Sequence, residues 1–197
     1  MNPNFDIYKD FNFAVFIHTH AEDIKTFIER RNLFENNYNI SLLNSEKVDF
    51  SLALRSDSIL EYKSIWYTNK NGNTIYVDNT GEAYYSLIWN VCTKNKLKAV
   101  HIKLSDDNAT YPGYMMNYYN INGEERAIQC YKDGEKWMFH TEGKIQFFED
   151  EKRYSERIKR KRFNREVIIE YCRRLGLDIT DSSFWEPAGN VYYFERL

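Results

Sequence analysis

Two histidines stand where a metal ion could be held. His18 and His20 form an H-x-H in the run IHTHAED, and residues i and i+2 of a strand point to one side, so both imidazoles could face a single ion. Glu22 and Asp23 follow at once. The same spacing fits a strand-to-helix corner, where histidines cap or meet solvent, and only His101 and His140 accompany the pair elsewhere in the chain. A metal-dependent hydrolase built on His18 and His20 is therefore carried forward as an alternative. The main reading has no metal site and no cofactor.

Other chemistries find less material. Paired H-x-[ST] motifs fail, because His18 is followed two residues on by His20 and His140 by Glu142. No G-x-S-x-G elbow occurs, and Cys130 falls in the middle of a strand pattern, so nucleophilic catalysis lacks its strained turn. Neither G-x-G-x-x-G nor G-x-x-x-x-G-K-[ST] is present to cradle phosphates. Asp106-Asp107 and Glu149-Asp150 are adjacent in sequence, whereas the acids of a glycosidase face each other across a cleft. No catalytic residue is assigned. The loop SDDNATYPGY does combine acids with rings, and Asp106, Asp107, Tyr111 and Tyr114 are the expected partner-binding residues. Against that stands the plainer reading that Tyr111 and Tyr114 pack on a sheet edge.

The elements that would position these groups read as an α+β domain spanning 1–197, a largely antiparallel sheet with helices on one face and a helical pair near the C-terminus. FNFAVFIH, from Phe11 to His18, is a buried-strand run, and Thr19 with Glu22 predicts a capping box for a helix carrying Ile24, Phe27 and Ile28. Tyr38 to Leu43, Val48 to Leu54 and Ile59 to Tyr67 follow as strands, the last turning through Asn71-Gly72 into Thr74 to Val77. Between Glu82 and Lys96, Tyr84, Leu87, Ile88, Val91 and Cys92 keep helical spacing. Lys98 to Leu104 and Tyr114 to Tyr119 are strands again. Asn122-Gly123, Asp133-Gly134 and Glu142-Gly143 then punctuate three strand-like segments as a meander. Helical patterning begins at Glu149, first with Tyr154 and Ile158, then with Asn164 as N-cap ahead of Val167, Ile168, Tyr171 and Leu175, and Gly176 as the stop. VYYFERL closes the chain as a further strand. Eight to ten strands result.

Composition sets further bounds. Aromatic residues make up 17% of a chain with 8 Gly and 3 Pro, so rings supply the core and long linkers have little to be made from. The longest apolar run, Phe13 to Ile17, is far below the roughly 20 residues of a membrane helix. MNPNFDIYKDF has no basic segment leading an apolar stretch, and the widely spaced Cys92, Cys130 and Cys172 read as free thiols, so a cytoplasmic location is expected. Between Lys152 and Arg174 ten Lys or Arg face three Glu, a balance of +7; the formal charge of -2 then leaves -9 on the rest. A nucleic-acid surface on this basic segment is the third reading, set against its periodic apolar residues and an acidic body that repels phosphate.

The strongest pattern runs from about residue 120 to 177. Glu125-Arg126 opens a strand; Lys132, Asp133, Gly134, Lys136, Trp137 and Phe139 make a K-D-G-x-K-W-x-F hairpin; Phe148-Glu149 ends the next segment; Tyr154, Arg157, Ile158, Lys159, Arg162 and Phe163 precede an E-Y-C-x-x-L-G helix end. In these features the chain resembles bacterial immunity proteins of polymorphic-toxin and contact-dependent growth inhibition systems. The resemblance implies a protein without enzyme activity that binds one toxin domain, often a nuclease, and blocks its active site or groove. An acidic body suits a basic nuclease surface, and the basic helix is then a packing element whose arginine stems cover apolar surface.

Overall fold

The computed structural model describes residues 10–31, 38–44, 62–79, 85–105, 108–109 and 112–196. Its strands are β1 (Asp10–Phe16), β2 (Tyr38–Leu43), β3 (Lys63–Asn69), β4 (Thr74–Asp78), β5 (Ala99–Ser105), β6 (Gly113–Tyr119), β7 (Glu125–Asp133), β8 (Lys136–Glu142) and β9 (Pro187–Arg196). They form one sheet in the order β2-β9-β3-β4-β1-β5-β6-β7-β8, with antiparallel neighbours throughout. The helices are α1 (Ala21–Arg31), α2 (Tyr85–Asn95), the single turn α3 (Lys159–Arg162) and α4 (Arg165–Arg174), with 3-10 turns at Glu151–Ser155 and Ser182–Trp185. The α+β class is as the sequence predicts.

Strand alternation sorts the side chains into two cores. On one face Ala14, Phe16, Trp66, Tyr76 and Phe194 meet Ile24 and Ile28 of α1 and Leu87, Ile88 and Val91 of α2. On the other, Phe13, Val15, Ile65, Ile102, Met116 and Ile128 meet Phe148, Phe163, Val167, Ile168 and Tyr171 from the C-terminal segment. So α1 and α2 share one face, and the C-terminal helical pair covers the opposite one. Trp185 anchors that second layer: its ring lies edge-on to Phe11 and Phe13 at 5.7 and 5.1 Å, its Nε1 donates to Ile179 O at 2.9 Å, and its carbonyl accepts from Tyr67. Each such aromatic pair contributes about 0.5–1.5 kcal/mol beyond the area it buries.

Three expectations change. Lys144 to Glu149 is no strand: Phe148 is driven into the core and Glu149 is taken up by Arg126, which bends the segment out of ladder geometry. The capping box is replaced as well, since Thr19 Oγ1 donates to Ile17 O, Glu22 accepts from Tyr192, and the Ala21 N–H is met by Thr68 Oγ1 at 3.0 Å. The first C-terminal helix shrinks to α3 and a 3-10 turn, while α4 forms as expected with Asn164 Oδ1 accepting from the Val167 N–H. The strand expected over Val48 to Leu54 lies outside the described residues, as does Tyr84.

Candidate functional site

The face that α1 and α2 cover turns polar where they stop. Moving outward from β1, the same-facing residues are Asn12 and Ala14, then His101 and Lys103 on β5, Met115 and Asn117 on β6, Ala127 and Gln129 on β7, and Glu142 on β8, set side by side by the pairings Ala14↔His101, His101↔Asn117, Asn117↔Ala127 and Ala127↔Glu142. All of these but Ala14, together with Tyr85 at the start of α2, Glu125 and Gly143, line a cleft of about 550 Å³.

His101 lies on its floor and is fully buried, yet neither ring nitrogen has a hydrogen-bond partner in the protein. Asn117, 2% exposed, likewise leaves its Oδ1 unpartnered, its Nδ2 making only a 3.7 Å contact to Met115 Sδ. Leaving a buried polar group unmatched costs about 1–3 kcal/mol. Burial, helped by the charge of Lys103, lowers the His101 pKa to about 4, so the imidazole is neutral near pH 7 and presents one donor and one acceptor.

The cleft has a direction. His101, Asn117, Ala127 and Glu142 share one cross-strand row, with Glu125 one step to one side of it and Lys103 and Gln129 one step to the other. The Tyr85 hydroxyl donates to Glu125 Oε1 at 2.8 Å, and burial followed by that bond raises its pKa to about 12, which keeps it protonated. Its ring lies 6.4 Å from that of His101.

The acidic wall is held from behind. Arg126, 3% exposed on the opposite face, donates from Nη1 to the carbonyls of Glu142 (3.2 Å) and Gly143 (2.9 Å) and from Nε and Nη2 to the Glu149 carboxylate (2.9 and 2.8 Å). Glu149 also accepts from the Gln146 N–H and the Tyr154 hydroxyl. Gly143 cannot be replaced without movement: its φ is +81° and a Cβ there would lie 2.1 Å from Glu125 O.

The residues singled out by sequence lie elsewhere. His18 sits in a turn with φ of 52°, its N–H bound by Asn73 Oδ1, and His18 and His20 are both exposed. Among the described residues no group of three His, Cys, Asp or Glu side chains comes together to hold a metal. Tyr114 is 4% exposed and its ring stacks on Trp137 at 6.0 Å, so it belongs to the core, on a strand inside the sheet and not at its edge. Asp106, Asp107 and Tyr111 lie outside the described residues. The cysteines are free and buried. No helix among the described residues is long and apolar enough to cross a membrane.

The basic segment is folded back on the protein. Arg160 lies over Trp137 (5.4 Å) and Arg162 over Phe139 (5.5 Å), Arg162 Nε donates to Glu156 O, and Arg153 and Arg174 share Glu170. Guanidinium groups engaged in this way cover apolar surface while keeping their charge at the rim.

The signal for the cleft was present in the strands. AVHIKLS and GYMMNYY each carry a polar residue at a buried position, and the register of the two strands puts His101 and Asn117 side by side on one face. Comparison with known protein families, with curated proteins and with solved structures finds no match to this chain.

Proposed function

We propose that this protein acts by binding another protein: an immunity-type inhibitor, working in the cytoplasm, that neutralises a bacterial toxin domain and itself makes or breaks no bond. The observation that carries the reading is the half of a sheet face over β5 to β8, which among the described residues neither α1 nor α2 covers and which is floored by buried polar groups without partners. Open polar ground beside exposed rings, here Tyr85 and Tyr131 at 45% and 42% exposure, is the composition of a protein contact, in which aromatic anchors sit within a polar rim. The charge division supports it too. Arg153, Arg160, Arg162, Arg173 and Arg174 of the basic segment are folded onto the protein's own rings and carboxylates, and the rest of the chain carries the balance of -9, which favours encounter with a basic surface such as a nuclease groove.

The test is a titration. The products of the genes that flank this protein's own are assayed for toxin activity while purified protein is added, and the activity of one is expected to fall linearly to zero at one equivalent. Full toxin activity at about tenfold excess, with the inhibitor at roughly 10 μM and so saturating for any Kd below about 1 μM, refutes the reading.

A further inference from the structure

We infer that the cleft over β5 to β7 is a receptor for an arginine side chain of the protein partner. The inference deepens the protein-binding reading and rests on it for the source of the arginine. Its ground is the imbalance of donors and acceptors in the cleft. Asn117 Oδ1 is an unused acceptor. Neutral His101 adds one acceptor nitrogen and one N–H donor, both unused. The Glu125 and Glu142 carboxylates add more, only one oxygen of Glu125 being engaged by Tyr85. Among the described residues Lys103 is the one cation lining the cleft, and it stands one step along β5 from His101, three strands from Glu142. A site rich in acceptors calls for a ligand rich in donors, and a guanidinium offers five in a planar fork.

Geometry favours the same group. Glu125 and Glu142 are diagonal neighbours on β7 and β8, since Ala127 pairs with Glu142, which sets their Cα atoms about 7–8 Å apart, a gap that one guanidinium can bridge. Tyr85 supplies a ring for the guanidinium plane to stack on. An ammonium is a point charge that cannot reach both carboxylates and lie flat on a ring at once. His101 and Asn117 then meet the donors at the tip of the side chain or the amide that follows it, ending the cost of their unmatched burial.

The probes are N-acetyl-Gly-Arg-Gly-amide, its citrulline and lysine counterparts, and agmatine, each titrated into the intact protein while the His101 ring nitrogens are followed by NMR. The arginine peptide is expected to move the His101 signals saturably, the lysine peptide more weakly, and the citrulline peptide, which keeps the shape and loses the charge, not at all. Glu142→Gln should weaken the arginine peptide about tenfold, the loss of one charge-assisted hydrogen bond. Unchanged thermal unfolding of that variant would assign the loss to the site. No saturable His101 shift, or equal binding of citrulline and arginine peptides, overturns the inference. Agmatine binding as tightly as the peptide also overturns it, by showing a site for a free small guanidine. These outcomes are separate from the toxin titration: a protein that neutralises toxin at one equivalent yet ignores the arginine peptide keeps its proposed function and loses this site.

Discussion

Removing the guanidinium behind the cleft should cost more than any surface change. Arg126 and Glu149 are 3% and 0% exposed in their side chains, and between them hold two carbonyls, one backbone N–H and the Tyr154 hydroxyl. Arg126→Met leaves the Glu149 carboxylate buried without its counter-ion, and breaking a buried pair in this way costs about 3–5 kcal/mol. Set against a total stability of about 5–15 kcal/mol, that is a large fraction. At roughly 2–4 °C per kcal/mol for a chain of this size, Tm should fall by roughly 6–20 °C. The double variant Arg126→Met/Glu149→Leu removes both charges, and replacing a buried pair with apolar groups is often nearly neutral, so it should recover at least about 2 kcal/mol relative to the sum of the single changes. Urea unfolding of the four proteins of the cycle measures this directly. If Arg126→Met costs less than about 1 kcal/mol, within the range of an exposed pair, or the two single changes simply add, then water reaches the pair and the account of the wall it holds is wrong.

Three further outcomes follow from local geometry. His101 binds its proton only near pH 4 when folded and near 6.5 when unfolded, so as pH falls the unfolded chain is protonated first; stability is complete above about pH 6.5 and drops by about 3 kcal/mol by pH 4. Lys103, Tyr85, Glu125 and Glu142 face the same cleft, so the measurement is a difference: urea midpoints of wild type and His101→Gln between pH 7.5 and 4.5, with the shallower slope expected in the variant. Gly143→Ala should destabilise by at least about 1 kcal/mol more than Gly134→Ala, because both impose a side chain at positive φ but only position 143 drives a Cβ into a carbonyl; equal melting shifts would contradict the contact. Asn164→Ala should cost about 1 kcal/mol by freeing the Val167 N–H at the start of α4, with Asn164→Asp restoring most of it in the same denaturation assay.

Helices and hairpins were legible because their signals are local. Leu87, Ile88, Val91 and Cys92 announce α2 by spacing alone, and all four are buried; Asn164 and Gly176 mark the two ends of α4, the glycine at φ of 80°. Sheet order was not legible. VYYFERL alternates as a strand should, but nothing in it says that β9 enters between β2 and β3, because that choice is made by residues more than a hundred positions away: Tyr193 against Ile65, Tyr192 against Leu42. Glu149 misled for a related reason. IQFFED has the composition of a strand, and it is overridden by a tertiary ion pair with Arg126, 23 residues earlier. The cleft was not legible because its floor is assembled across strands, with Asn12 and His101 brought together by the pairing of β1 with β5, whereas only acids and histidines close in sequence form a local pattern.

Why no helix among the described residues covers one half of a sheet face follows from the residues that line it. Over β1, β3, β4 and β9 that face offers Ala14, Phe16, Trp66, Tyr76 and Phe194, and a helix with an apolar stripe gains by covering them. Over β5 to β8 it offers Lys103, Asn117, Gln129 and Glu142, and an apolar helix laid there would have to desolvate each without giving a hydrogen bond in return. The boundary falls at His101, beside Tyr85 of α2, where burial is complete but bonding is not. A leucine at that place would cost nothing in unmatched bonds and would extend the apolar core by one strand. Keeping an imidazole and an amide there lowers stability in exchange for a surface that can still form hydrogen bonds, and stability given up at one defined spot, with Arg126 bracing the adjacent wall from the far side of the sheet, is what a binding site requires of its scaffold.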